Sequence, residues 1–186
     1  MKKYIIIAGV NGVGKSTLYQ STPSLQDMPR INTDEIVRDI GSWKNSADIF
    51  KAGKIAVRLL YQYLKDGISF NQETTLCGKS IIKNIQKAKE YGYYIEMHYI
   101  GIDSPESAKN RVHQRVKKGG HGIPDSDIEK RYYESFQNLK SVLNYCDLIA
   151  FYDNTTEFRR FAIYRQHAFI RKSHLLPDWF LKHCDF

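Results

Sequence analysis

Apolar residues fall along this chain in two alternating rhythms. Tyr4-Ile5-Ile6-Ile7-Ala8 is an unbroken apolar, β-branched run, the pattern of a strand covered on both faces in a parallel sheet. Residues 15–20 follow a glycine-rich turn and open a short helix, which the steps Thr22-Pro23 and Met28-Pro29 break. Arg30-Ile31-Asn32 reads as a brief second strand, and Asn32 caps a helix with Asp34 and Glu35 in its first turn, where the dipole favours them. Between residues 46 and 65, Ile49, Phe50, Ala56, Leu59, Leu60 and Tyr63 recur at helical spacing, predicting a long amphipathic helix that Gly67 closes. Strands follow at 68–73, 93–102 and 147–152, and helices at 79–91, from Ser104-Pro105-Glu106 to about 118, and at 125–145. Strands alternating with helices predict an α/β fold, a doubly wound, mainly parallel sheet with helices on both faces. After it, residues 158–164 and 168–171 form a hairpin and 176–183 a short closing helix, with Trp179 and Phe180 packed on the core.

Composition adds boundaries to that picture. A chain of 186 residues suits one α/β domain with a sizeable core, here expected over 1–155, with 156–186 as a C-terminal extension packed on it. The net charge of +8 favours anionic ligands, as a phosphate-handling site would require. Most of the 13 tyrosines sit inside apolar periodic patterns, so core packing is their expected role and nucleic acid is not the expected partner. Cys77, Cys146 and Cys184 are scattered and share no metal-ligand spacing, which argues against a disulfide framework or a zinc site and fits a reducing cytoplasm. The N-terminal apolar run is too short for a signal peptide, and no stretch is long enough to span a membrane.

The chemistry centres on Gly9-Val10-Asn11-Gly12-Val13-Gly14-Lys15-Ser16-Thr17, which fits the phosphate-binding pattern G-x-x-x-x-G-K-[ST] between a strand and a helix start. Such glycines let backbone N–H groups converge on phosphate oxygens, and the helix N-terminus adds partial positive charge. Lys15 is expected to reach the β- and γ-phosphates and Ser16 to offer its hydroxyl to Mg²⁺. A nucleotide triphosphate is therefore the expected ligand.

Three further segments suit phosphoryl transfer. In Ile31-Asn32-Thr33-Asp34-Glu35-Ile36-Val37-Arg38, Asp34 directly follows the second strand, where its carboxylate can take a proton from an acceptor hydroxyl, and Arg38 is a candidate substrate contact. In Gln72-Glu73-Thr74-Thr75, a glutamate at the end of a buried strand can hold sugar hydroxyls or orient a metal-bound water, with Thr74 beside it. Residues 110–132 have the build of a lid: Arg111 and Arg115 share a helix face, Gly119-Gly120-His121-Gly122-Ile123-Pro124 follows, and a second helix carries Arg131. Guanidinium forks grip phosphate oxygens, and His121 reads as a turn or lid residue.

Taken together these segments resemble the zeta toxin family of P-loop kinases, particularly its short members. The resemblance rests on residues 9–17, Asn32-Thr33-Asp34-Glu35, Glu73-Thr74-Thr75-Leu76, Arg115-Val116 with Gly119-Gly120-His121-Gly122-Ile123-Pro124, Arg131-Tyr132, Asn138-Leu139 and Asp153-Asn154, and it spans roughly 4–155. It implies ATP-dependent phosphorylation of a small molecule, in the characterised toxins a hydroxyl of a UDP-activated amino sugar. By position it implies Asp34 as general base, Lys15 and Ser16 as phosphate and Mg²⁺ contacts, Glu73 and Thr74 as substrate-pocket residues, and Arg115 and Arg131 as phosphate clamps. The longer toxins carry additional helices around the substrate that 186 residues do not reproduce fully. The resemblance leaves open an antitoxin-like protein partner. Two alternatives stand beside it: a nucleoside or polynucleotide kinase, and a nucleotide-dependent switch that transfers nothing.

Overall fold

The computed structural model describes residues 1–184. Strand β1 (Lys3–Ala8) buries every residue after Lys3, as its continuous apolar run requires. Burying each of those isoleucines contributes about 1.5–3 kcal/mol. It lies third in a seven-stranded sheet of order β2-β3-β1-β4-β5-β6-β7, at the centre of the parallel part, in which β2 (Arg30–Asn32), β3 (Phe70–Thr74), β4 (Tyr94–Gly101) and β5 (Leu148–Asp153) run parallel to it. β6 (Arg159–Arg165) and β7 (Ala168–Lys172) add an antiparallel hairpin at one edge. The chain leaves β1 toward β2 on one side, whereas β4 leads to β5 on the other. Right-handed crossovers in opposite directions put helices on both faces and open a crevice at the carboxyl end of β1.

The helices are α1 (Lys15–Gln20), α2 (Pro23–Gln26), α3 (Thr33–Ile40), α4 (Ser46–Asp66), α5 (Lys79–Glu90), α6 (Pro105–Lys117), α7 (Asp125–Val142) and α8 (Asp178–His183). Local signals set their ends. Asn32 accepts from the backbone N–H groups of Asp34 and Glu35, Ser104 caps α6 before Pro105, and Gly67 ends α4 at φ +70°. Pro23 both stops α1 and serves as the first residue of α2.

Two expectations need correction. The helix expected over 125–145 is α-helical only to Val142 and finishes as a 3₁₀ turn, Leu143–Tyr145. In α4 the buried stripe is Ala52, Ala56, Leu60 and Leu64, while Phe50 is 67% exposed and Ile49 44%. At 100° per residue Phe50 lies about 100° off the centre of that stripe. Ile49 keeps the right azimuth, but its turn borders the crevice instead of the core. The C-terminal segment forms the hairpin and helix read from its pattern, and Trp179 and Phe180 are 2% and 3% exposed against Phe136, Phe151 and Phe161. Residues 185–186 of the expected extension lie outside the described residues.

Candidate active site

The loop after β1 is built around backbone conformations and close approaches that side chains would block. Gly9, Gly12 and Gly14 have φ of +141°, +81° and +101°. A Cβ on Gly9 would stand 2.3 Å from the Ile100 carbonyl oxygen, and one on Gly14 2.6 Å from Asn154 Nδ2. Asn154, just past β5, donates to the Val13 carbonyl at 3.0 Å and so braces the loop from across the sheet. Lys15 is buried, and its Nζ donates to the carbonyls of Gly9 (2.8 Å) and Val10 (3.1 Å). Burial lowers its pKa from the ordinary lysine value, and the carboxylates of Glu73 and Asp34 oppose that shift.

The acidic side comes from the ends of β2 and β3. Pairing sets Asn32 opposite Glu73 and Glu73 opposite Ile7, so Glu73 emerges beside the loop. Its carboxylate accepts from Ser16 Oγ at 3.3 Å, from Asn32 Nδ2 at 3.3 Å and from Arg30 Nη2 at 2.6 Å. Asp34, one residue into α3, is exposed and has no side-chain hydrogen bond or ion pair among the described residues. It faces the crevice with its carboxylate available.

The basic side comes from α6, α7 and the loop between them. Arg115 turns back through Nε and Nη2 onto the His121 carbonyl at 3.0 and 2.7 Å, folding the glycine segment under its own guanidinium. Arg131 Nη1 donates to Asn11 Oδ1 at 3.1 Å, reaching from α7 to the phosphate loop. Arg111 Nη2 holds the carbonyls of Asn154 and Thr155 at 2.6 and 3.2 Å. The His121 ring stacks on Trp43, centroids 4.9 Å apart, so the α6–α7 loop meets the α3–α4 loop above the crevice. Burial depresses the His121 pKa; Asp34 opposes the shift, and Arg115 and Arg131 add to it.

These parts enclose a cavity of about 750 Å³. Asn11, Gly12, Gly14, Lys15, Ser16 and Thr17 line one end, with Asp34, Glu73, Thr74, Arg115 and Arg131 around it. Gly9 and Val13 are buried behind the loop and shape it from within. Arg38 is exposed on α3 and does not border the cavity, although it lies one turn from Asp34 and its neighbour Val37 does border it. Sequence reasoning missed Trp43 and Ile49, which with Val37 give the cavity an apolar lining, and it assigned Asn154 no task.

The residues fit a triphosphate and a magnesium ion. The loop carries the left-handed glycines and the buried ammonium that a phosphate tail requires. Ser16 and Glu73 present hard oxygens side by side, and among the described residues no group of three His, Cys, Asp or Glu could hold a metal alone. That donor set suits Mg²⁺, which keeps water and phosphate oxygens in its shell.

Comparison with known proteins agrees with this architecture. The model of the AAA domain family, AAA_33, matches residues 5–137. An uncharacterized protein of Haemophilus influenzae is 37% identical over 130 residues, covering 70% of this chain and 92% of the relative. Among solved structures, the AvrRxo1-ORF1:AvrRxo1-ORF2 complex with sulphate ions superposes with a TM-score of 0.78 at 15% identity over 98% of this chain. The same complex with ATP gives 0.77 at 16% identity, again over 98% of this chain. In both cases this chain spans 63% of the matched chain's length. The PezAT toxin–antitoxin system of Streptococcus pneumoniae gives 0.60 at 19% identity, over 85% of this chain and 70% of that one. A braced glycine loop on a central parallel strand, matched by the family model from β1 into α7, makes this chain a member of the AAA domain family AAA_33 with a P-loop kinase-like fold.

Proposed function

We propose that the protein is an ATP-dependent, zeta-toxin-like kinase that transfers the γ-phosphoryl group to a hydroxyl of a small-molecule acceptor. One observation carries this reading: Lys15, Asp34, Arg115 and Arg131, from four separate segments, border a single cavity. Phosphoryl transfer needs little covalent help; it needs the phosphate clamped, the charge on it neutralised and the acceptor aligned. The loop backbone and Lys15 hold the triphosphate. Asp34 takes the proton of the acceptor hydroxyl as its oxygen bonds to the γ-phosphorus and the bond to the β–γ bridging oxygen breaks. Arg115 and Arg131 neutralise charge on the transferred group, and the leaving ADP stays in the loop. Mg²⁺, when bound at Ser16, supplies further neutralisation of the β- and γ-oxygens. Glu73 and Thr74 flank the acceptor side.

The apolar lining of Val37, Trp43 and Ile49 favours an acceptor whose hydroxyl-bearing part is joined to a planar or apolar group, such as a UDP-activated sugar or a nucleoside, over a bare sugar. An antitoxin-like partner is part of the reading; the fold's likeness to chains from AvrRxo1-ORF1:-ORF2 and PezAT supports it. We assign residues 1–155 to the kinase core, with the lid at about 110–132, and 156–186 to an extension.

The test is Asp34→Asn assayed with labelled γ-phosphate against UDP-sugars, nucleosides and other hydroxyl acceptors. Nucleotide binding is expected to persist while transfer falls by about 10²–10⁴-fold, the usual contribution of a positioned base. Undiminished transfer removes Asp34 from the mechanism. ATP turnover that no acceptor accelerates, in the wild type, favours a switch protein instead.

A further inference from the structure

Arg30, at the start of β2, is placed to organise the acidic side of the cavity without bordering it. Its guanidinium carbon sits over the Tyr19 ring of α1, 3.6 Å from the centroid. Nη2 holds Glu73 at 2.6 Å and Nη1 holds Glu35 at 2.8 Å. The Arg30 and Glu73 side chains are 13% and 11% exposed, so this contact is largely shielded from water, and Arg30 Nε is buried without a hydrogen-bond partner among the described residues. One planar cation thus joins the helix that follows the phosphate loop, the end of β3 and the first turn of α3.

We propose, resting on the kinase reading above, that Arg30 is the positioning residue of the reaction. Through Glu73 it fixes the carboxylate beside Ser16, where bound Mg²⁺ and its waters would sit. Through Glu35 it fixes the turn that presents Asp34. Glu73 accepts from Ser16 at 3.3 Å but from Arg30 at 2.6 Å, so Arg30 remains the dominant partner when the Ser16 hydroxyl turns to a metal. A guanidinium suits the task because its planar fork can hold two carboxylates while stacking on a ring, whereas a lysine ammonium is a single point charge.

The measurement is the affinity of a fluorescent ATP analogue with Mg²⁺ and in EDTA, alongside melting temperature. Arg30→Met keeps an unbranched apolar side chain and removes the charge with its contacts to Tyr19, Glu35 and Glu73. It is expected to weaken the Mg²⁺-loaded nucleotide about tenfold while leaving the metal-free nucleotide within twofold, a separation that general loosening of the fold would not produce. Arg30→Lys should recover part of the ratio. Combining Arg30→Met with Glu73→Gln should add nothing to Glu73→Gln alone, and Glu35→Gln should lower turnover without moving the Mg²⁺ ratio. Equal losses with and without Mg²⁺, or wild-type affinities throughout, overturn the proposal. If Arg30→Met does not fold, Arg30→Lys and the two glutamine variants decide by the same ratio and turnover. Failure of the wild type to bind nucleotide fells the kinase reading as well; wild-type binding with an unmoved ratio fells only the role of Arg30.

Discussion

The two ends of the cavity are built in opposite ways. At the phosphate end Val10, Asn11, Val13 and Lys15 are buried, and Asn154 and Arg131 brace the loop from distant parts of the chain. At the lid end residues 116–119 are exposed, Arg115 bonds to a carbonyl only six residues away, and one ring contact, His121 on Trp43, ties the loop to the opposite wall. The proposed kinase would need both: a fixed cradle where charge sits before and after reaction, and a cover that contributes a cation when closed. The difference predicts that damage to the cradle affects binding and turnover together, and damage to the cover affects turnover first.

Lys15→Ala should have the largest effect, lowering kcat/KM by about 10³-fold or more and weakening nucleotide binding with it, measured by steady-state kinetics and fluorescent-nucleotide titration. Arg115→Ala should cost about 10²–10³-fold in kcat with nucleotide affinity nearly unchanged, while Arg131→Ala should also weaken binding because it releases Asn11. If both arginine variants behave alike, the distinction between cradle and cover fails. Gly14→Ala tests the cradle as structure: φ of +101° and the approach of Asn154 should cost about 1–3 kcal/mol, read as a lower melting temperature and a weakened nucleotide complex.

The smallest effect is a pH dependence at the cover. Because burial depresses the folded pKa of His121, the unfolded chain takes up this proton first as pH falls. Stability should be unaffected by this group well above pH ~6.5 and should decline as pH drops below it. Trp43 emission against pH should report the same loosening, and His121→Gln should flatten that part of the profile. An unchanged profile in that variant assigns the acid sensitivity elsewhere.

Much of this was legible in the chain because it is written locally. The β1 run, the glycine loop, the Asn32 cap and the Ser104-Pro105 helix start each depend on neighbouring residues, and each stands where its pattern put it. Phe50 was misread because the helical spacing of an apolar residue does not say which of two apolar arcs meets the sheet. Trp43 lies in the α3–α4 loop, where no periodicity marks it, and becomes part of the site only through its distance from His121. Arg30 looked like an ordinary strand residue; its contacts with Tyr19, Glu35 and Glu73 depend on the order of strands, which spacing does not encode.

The Asn154 brace carries a consequence for how the molecule is made. Its bond to Val13 joins residues 141 positions apart, so a ribosome must deliver the end of β5 before the glycine turn acquires its last support. Until then the emerging chain holds an incomplete cradle, and competence to capture nucleotide waits for the end of β5.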